Sequence, residues 1–149
     1  MSETALIGKA KELYVATLLV GRRLHVYFPL VDNGFDLIVT TPDGGRFLPV
    51  QVKYKAKRTG FSLKRCDAER FAKVDAVLAF GSESARADQF YFFPAREWMK
   101  RATQQDRNRG DDKLVAYMTG DEWEKPFQGE AGIDLAFEAV LRIAPSDGQ

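Results

Sequence analysis

Residues 35–55 read Phe-Asp-Leu-Ile-Val-Thr-Thr-Pro-Asp-Gly-Gly-Arg-Phe-Leu-Pro-Val-Gln-Val-Lys-Tyr-Lys. Two runs rich in β-branched and aromatic residues flank Pro42-Asp43-Gly44-Gly45, a turn composition, so the stretch predicts a hairpin. One strand is expected over 35–41 and the next over about 46–57. In the second strand Gln51, Lys53 and Lys55 share one face, and Val50, Val52 and Tyr54 share the other. Asp36 is a lone acid inside an apolar run. Burying a carboxylate costs several kcal/mol unless a cation or hydrogen bonds compensate. The hairpin sets the strands side by side, so Asp36, Gln51 and Lys53 are expected to converge on one patch of the sheet.

Before the hairpin, residues 2–20 predict a helix. Leu6, Ala10, Leu13 and Thr17 recur at helical spacing, and Gly21 supplies a stop. Glu12 lies off that stripe, and the small residues Ala5, Gly8 and Ala16 around it leave it little covered. Residues 22–30 predict a strand and 31–34 a turn. Beyond the hairpin the chain alternates: a short helix over 67–73, a buried strand over 75–80, and a strand over 89–93. A helix then opened by Pro94 is expected to run to about 105, before a late strand over 114–119. Residues 133–143 read equally as a final helix or as a helix followed by a strand, and 145–149 read as a loose tail. The order predicts an α/β fold, a mixed central sheet flanked by helices, in a single domain spanning 1–149.

Composition narrows the chemistry. The 149 residues are 45% hydrophobic and 29% charged, the balance of an ordinary globular domain. Disordered, collagenous and low-complexity readings are excluded. With one cysteine (Cys66) and one histidine (His25), no internal disulfide and no Cys/His zinc site can form. Any metal must be held mainly by oxygen, which favours magnesium, manganese or calcium. The lone thiol suits a reducing compartment, and the expected location is cytoplasmic. Residues 13–20 are too short an apolar run to span a bilayer. The net charge of +1 hides an uneven distribution. Arg46, Lys53, Lys55, Lys57, Arg58, Lys64 and Arg65 fall in one acid-free stretch, whereas the chain beyond Gly120 is acidic. The basic stretch suits a phosphate-facing surface, or more plainly a strand edge guarded against aggregation.

A helix bearing Glu12, a strand bearing Asp36 and a following strand reading Gln51-Val52-Lys53 together resemble the PD-(D/E)XK nuclease superfamily. The likeness covers residues 3–65, and the helix and strand after it suit the same restriction-endonuclease-like αβββαβ core. Gln51 departs from the usual Asp or Glu. Glutamine occurs there in the Gln-x-Lys members, which are similar to Holliday-junction resolvases and an intron homing endonuclease. The resemblance implies a metal-dependent endonuclease that hydrolyses DNA phosphodiester bonds with Mg2+ or Mn2+. It implies that Asp36 and the Gln51 side-chain oxygen ligate the ion, with the Val52 carbonyl as a further ligand. Lys53 would position the attacking water or stabilise charge on the phosphate. Glu12 would hold a metal-bound water or a second ion. Lys55, Lys57, Arg58 and Lys64 would follow backbone phosphates without reading sequence. It also implies a homo-oligomer, a dimer or tetramer, with DNA as partner and no membrane. Losing one acid lowers the expected metal affinity, which leaves a second reading, a catalytically inactive nucleic-acid- or protein-binding module.

Each residue also has an ordinary reading. Glu12 suits a solvated helix face, Asp36 a turn cap, and Gln51 and Lys53 a polar strand face. Asp32 and Asp43 belong to turns, and His25 to a strand surface. Tyr91, Phe92, Phe93 and Trp98 read as core rather than as base-stacking platforms, and Cys66 has no assigned role.

Overall fold

The computed structural model describes residues 2–31, 34–55, 60–82, 86, 89–104, 112–118 and 122–138. Helix α1 (Glu3–Gly21) opens at Ser2, whose hydroxyl accepts the Ala5 N–H at 3.2 Å, an N-cap. Strands β1 (His25–Tyr27), β2 (Leu37–Thr40) and β3 (Phe47–Lys55) follow, then β4 (Gly60–Lys64) running straight into α2 (Arg65–Lys73). Next come β5 (Val77–Ser82), β6 (Tyr91–Pro94), α3 (Ala95–Arg101), β7 (Thr103–Gln104), β8 (Lys113–Tyr117), a 3-10 turn (Lys125–Phe127) and α4 (Gly129–Ala136).

The main sheet has the order β1-β2-β3-β5-β6. Only β3 and β5 run parallel; the other pairs are antiparallel, so the sheet is mixed as expected. Alternation along β5 builds two cores. Val77 and Ala79 face a cluster with Val15, Leu19, Val50, Val52, Ile133 and Phe137. Leu78 and Phe80 face another with Phe61, Phe71, Phe93 and Trp98. Helices α1 and α4 thus cover one face of the sheet, and α2, α3 and a second sheet cover the other. Tyr91, Phe92, Phe93 and Trp98 are all buried, which places them in the core. His25 and Cys66 are exposed.

The Leu6, Ala10, Leu13 and Thr17 stripe of α1 faces solvent. Leu6 and Leu13 are 57% and 50% exposed, and the packed residues are Val15, Ala16 and Leu19. Those three share a face with Gly8 and Glu12, because i, i+3, i+4 and i+7 neighbours lie together. The helix carries apolar residues on two sides, so periodicity alone could not tell which side meets the sheet. Leu19→Ala is expected to destabilise by about 2–4 kcal/mol through the cavity it leaves. Leu13→Ala is expected to change stability by less than about 1 kcal/mol. Chemical denaturation of the two variants checks this; equal losses would contradict the packing.

The late strand, β8, does not join the main sheet. It lies between β4 and β7 in a three-stranded antiparallel sheet. Neither β4 nor β7 was expected from the sequence. Gly60-Phe-Ser-Leu-Lys is short, opens on glycine and follows a charged run, all of which mute a strand signal. Helix α3 ends at Arg101, short of the expected 105, and β1 is three residues rather than nine. Residues 145–149 and the end of the 133–143 segment lie outside the described residues.

Candidate active site

Strand β2 begins at Leu37, which pairs with Val50, so Asp36 lies just before the strand and not within it. Its N–H donates to the Val50 carbonyl at 3.0 Å. Beyond Val50, β3 continues to Lys55 with no β2 residue beside it. Asp36 fills the first vacant position with its side chain. Its Oδ2 accepts the Val52 N–H at 2.8 Å, doing for β3 what a strand carbonyl would have done. The main strands therefore part at a notch, and Asp36 sits at its apex.

The approach to Asp36 is braced. Gly34 adopts φ +88, a left-handed conformation that glycine takes without steric cost, and the Arg70 guanidinium lies against it. Arg70 also sits 5.2 Å from the Phe35 ring, which packs on Phe71 at 5.6 Å. Phe35 and Gly34 thereby anchor the backbone on the side from which Asp36 enters the notch.

The carboxylate of Glu12 meets Asp36 from α1. Burial pushes the Asp36 pKa up to about 6; the Val52 N–H opposes this, and the neighbouring Glu12 carboxylate adds to it by like charge and by sharing a hydrogen bond. The Lys53 ammonium pulls weakly the other way. Lys53 stands on the face of β3 opposite Val52, because Val50 and Val52 lie in the core under α1. At the notch a carboxylate from one face meets Asp36, and the charge of an ammonium on the other face acts on the same acid.

The hairpin sets Lys53 within electrostatic reach of Asp36, and Glu12 joins Asp36 from α1. Gln51 is the first β3 residue past the last β2 pair, half-buried at the notch's edge. The Val52 N–H is the group seen engaging Asp36, and the Val52 side chain is core. Lys55 and Lys64 lie further along the basic strands. Lys57 and Arg58 lie outside the described residues, as does Asp32. Asp43 closes its own turn, accepting the Gly45 N–H at 2.9 Å.

Lys9 is a participant that the sequence reading passed over. Its ammonium pairs with Glu12 at 2.9 Å and feels the charge of Asp36. It also lies 5.5 Å from the centre of the Phe28 ring. The signal was present as an i, i+3 Lys–Glu spacing, but that spacing is common on solvated helices.

Two carboxylates forced together, one of them partly buried, form a site that a cation would relieve. Among the described residues there is no cluster of three or more His, Cys, Asp and Glu. A metal would therefore rest on Glu12 and Asp36, with neutral oxygens completing its shell. An all-oxygen set suits a hard divalent ion such as magnesium or manganese.

No protein-family model and no curated protein sequence matches the chain. Solved structures do. The bacterial homing endonuclease I-Ssp6803I superposes with a TM-score of 0.58 at 20% identity, over 96% of this chain and 97% of that one. Hjc, a Holliday junction resolvase from the archaeal hyperthermophile Archaeoglobus fulgidus, superposes with a TM-score of 0.47 at 15% identity, over 72% of this chain and 84% of that one. The likeness to the homing endonuclease spans nearly the whole of both chains and is one of fold. The mixed α/β architecture of the present chain is the fold of that homing endonuclease.

Proposed function

We propose that the chain is a divalent-metal-dependent endonuclease of the PD-(D/E)XK type that hydrolyses DNA phosphodiester bonds. The observation that carries this reading is the notch at the end of β2, where Glu12 and Asp36 converge beside Lys53. It occurs on a fold shared with a homing endonuclease. An acid pair able to hold a divalent ion, with an ammonium nearby, suits metal-assisted phosphodiester hydrolysis.

In this mechanism Asp36 and Glu12 would hold Mg2+ or Mn2+, and the Gln51 side-chain oxygen and the Val52 carbonyl would be its further ligands. When bound, the ion supplies positive charge against the negative charge that grows on the phosphate. The Val52 N–H fixes one oxygen of Asp36. Lys53 donates hydrogen bonds to the attacking water and to a non-bridging phosphate oxygen, orienting the first and stabilising the second. Lys9 pairs with Glu12 at 2.9 Å and holds its carboxylate in place. Lys55, Lys57, Arg58 and Lys64 steer the DNA backbone. Self-association into a dimer or tetramer belongs to the same reading, and the exposed Leu6, Leu13 and Val20 on α1 offer an apolar surface for it. Among the described residues no helix is long and apolar enough to cross a membrane.

The test is cleavage of labelled linear duplex, single strand, flap and four-way junction with Mg2+ or Mn2+. Cleavage of at least one substrate is expected. A parent that binds these DNAs and cuts none would favour the inactive binding module, which the Gln51 substitution and the Lys9–Glu12 pair also suit.

Gln51→Glu separates these readings further. If Gln51 is a ligand, a third carboxylate tightens metal binding, and cleavage is expected to be retained or raised at low metal concentration. A variant that binds metal and has lost all cleavage would mean that the amide itself is required.

A further inference from the structure

Next to the notch, on the other face of β3, lies a cleft of about 260 Å³. Its walls come from both sheets. Lys53 and Lys55 line it from β3, and Ser62 and Lys64 from β4; Lys113 enters from β8, across sixty residues of sequence. Phe61 and Leu63 are buried and close off its apolar side. The one carboxylate among its described lining residues is Asp67, which pairs with Arg70 at 3.6 Å.

Four ammonium groups around one cleft are an unfavourable arrangement by themselves. Lys64 and Lys113 are direct partners in the antiparallel β4–β8 ladder, where like charges destabilise. Lys53 and Lys55 stand two residues apart on one strand face. The crowding registers on Lys55, whose pKa is lowered by burial, and then by the charges of Lys113 and Lys53. A multiply charged anion would relieve every one of these repulsions at once. Lysine binds phosphate as a compact point charge with three donors, so such a cluster suits a phosphate oxygen set and carries no base readout. Phe61 is too buried to offer a stacking surface.

We propose that this cleft is a phosphate subsite: Lys64 and Lys113 anchor a phosphate group of a nucleic-acid strand, and the Ser62 hydroxyl donates to it. Lys53 borders both the cleft and the carboxylate pair, so the group held there lies beside the reacting phosphate. The identity of the ligand rests on the nuclease reading, but the affinity of the cleft for phosphate does not.

The double variant Lys64→Gln/Lys113→Gln is compared with the parent and with Lys100→Gln, a lysine on α3 paired with Glu97. Two measurements are made without divalent ions: 31P line broadening of inorganic phosphate, and fluorescence anisotropy of a labelled single strand with and without a 5′-phosphate. The double variant is expected to lose the broadening and about tenfold or more of its DNA affinity at low salt. The slope of log affinity against log salt should fall by about 1.4, two contacts on a single strand. Lys100→Gln should match the parent in both. A preference for the 5′-phosphorylated strand, lost in the double variant, assigns the subsite to a terminal phosphate; an affinity loss equal on both strands assigns it to an internal phosphodiester. Removing the Lys64–Lys113 repulsion should leave the low-salt melting temperature equal or raised, and Lys64→Gln alone, at an exposed position, serves if the double variant does not fold. A folded variant that keeps the parental broadening and affinity overturns the subsite, even if the parent cleaves DNA. A parent that cleaves nothing, with phosphate binding lost in the variant, overturns the nuclease and leaves the subsite standing.

Discussion

Asp36→Asn should make the metal-free protein more stable and remove its stabilisation by magnesium. The asparagine carbonyl can still accept the Val52 N–H, and its amide can donate to Glu12, so the notch keeps its hydrogen bonds. What it loses is a carboxylate held beside another. The folded pKa of about 6 lies above the ordinary 3.8, so the folded state holds a proton that the unfolded chain has released. The stability associated with that proton is full below about pH 3.8 and is lost as pH rises through about 6. At neutral pH the cost, discounted for the partial exposure of Asp36, is about 1–2 kcal/mol. The expected gain for Asp36→Asn at pH 7.5 is therefore about 3–6 °C in melting temperature, shrinking towards zero near pH 4. In the parent, millimolar Mg2+ or Mn2+ should recover a similar amount by binding the folded state only. Calorimetry of both proteins, with and without metal, across pH 4–8 decides the matter. If neither the substitution nor the metal moves the parental melting temperature, the acid pair is not a cation site. The same substitution should abolish metal-dependent cleavage.

Lys53→Ala should lower the cleavage rate by about 10²–10⁴-fold, the range for losing a group that orients the nucleophile or stabilises transition-state charge. Its effect on DNA affinity, measured without divalent ions, should stay within about tenfold, and the salt slope should fall by about one for a duplex. The contrast is the point of the measurement. A residue serving only to attract the backbone would lose affinity and keep its rate at saturating DNA. Stability should not suffer, since Lys53 is exposed and lies among other lysines. A variant that cuts at the parental rate would remove Lys53 from the mechanism.

Much of this arrangement was legible in the chain. The turn at 42–45 and the period-two pattern after it placed Gln51 and Lys53 on one face and Val50 and Val52 on the other, and the structure agrees. The apolar run of β5 read as a strand buried on both sides, and it is. These are local properties: turn chemistry and side-chain alternation are set by residues within a few positions of one another. The order of elements and the Glu–Asp–Gln-x-Lys spacing were enough to suggest the fold.

What the sequence alone could not decide is where distant segments meet. α1 is apolar on two sides, and only packing against β3 chose the face bearing Val15 and Leu19, which brings Glu12 down onto Asp36. Asp36 looked like a strand residue, yet it precedes β2 and caps β3 with its side chain, because the two strands part there. The second sheet was invisible because its strands are short and weakly patterned, and its pairing of Lys64 with Lys113 closes a loop of nearly fifty residues. Composition, turns and alternation come from the chain itself. The acid pair, the notch and the lysine cleft are made by long-range contacts, and their unusual electrostatics exist only once folding has brought like charges together.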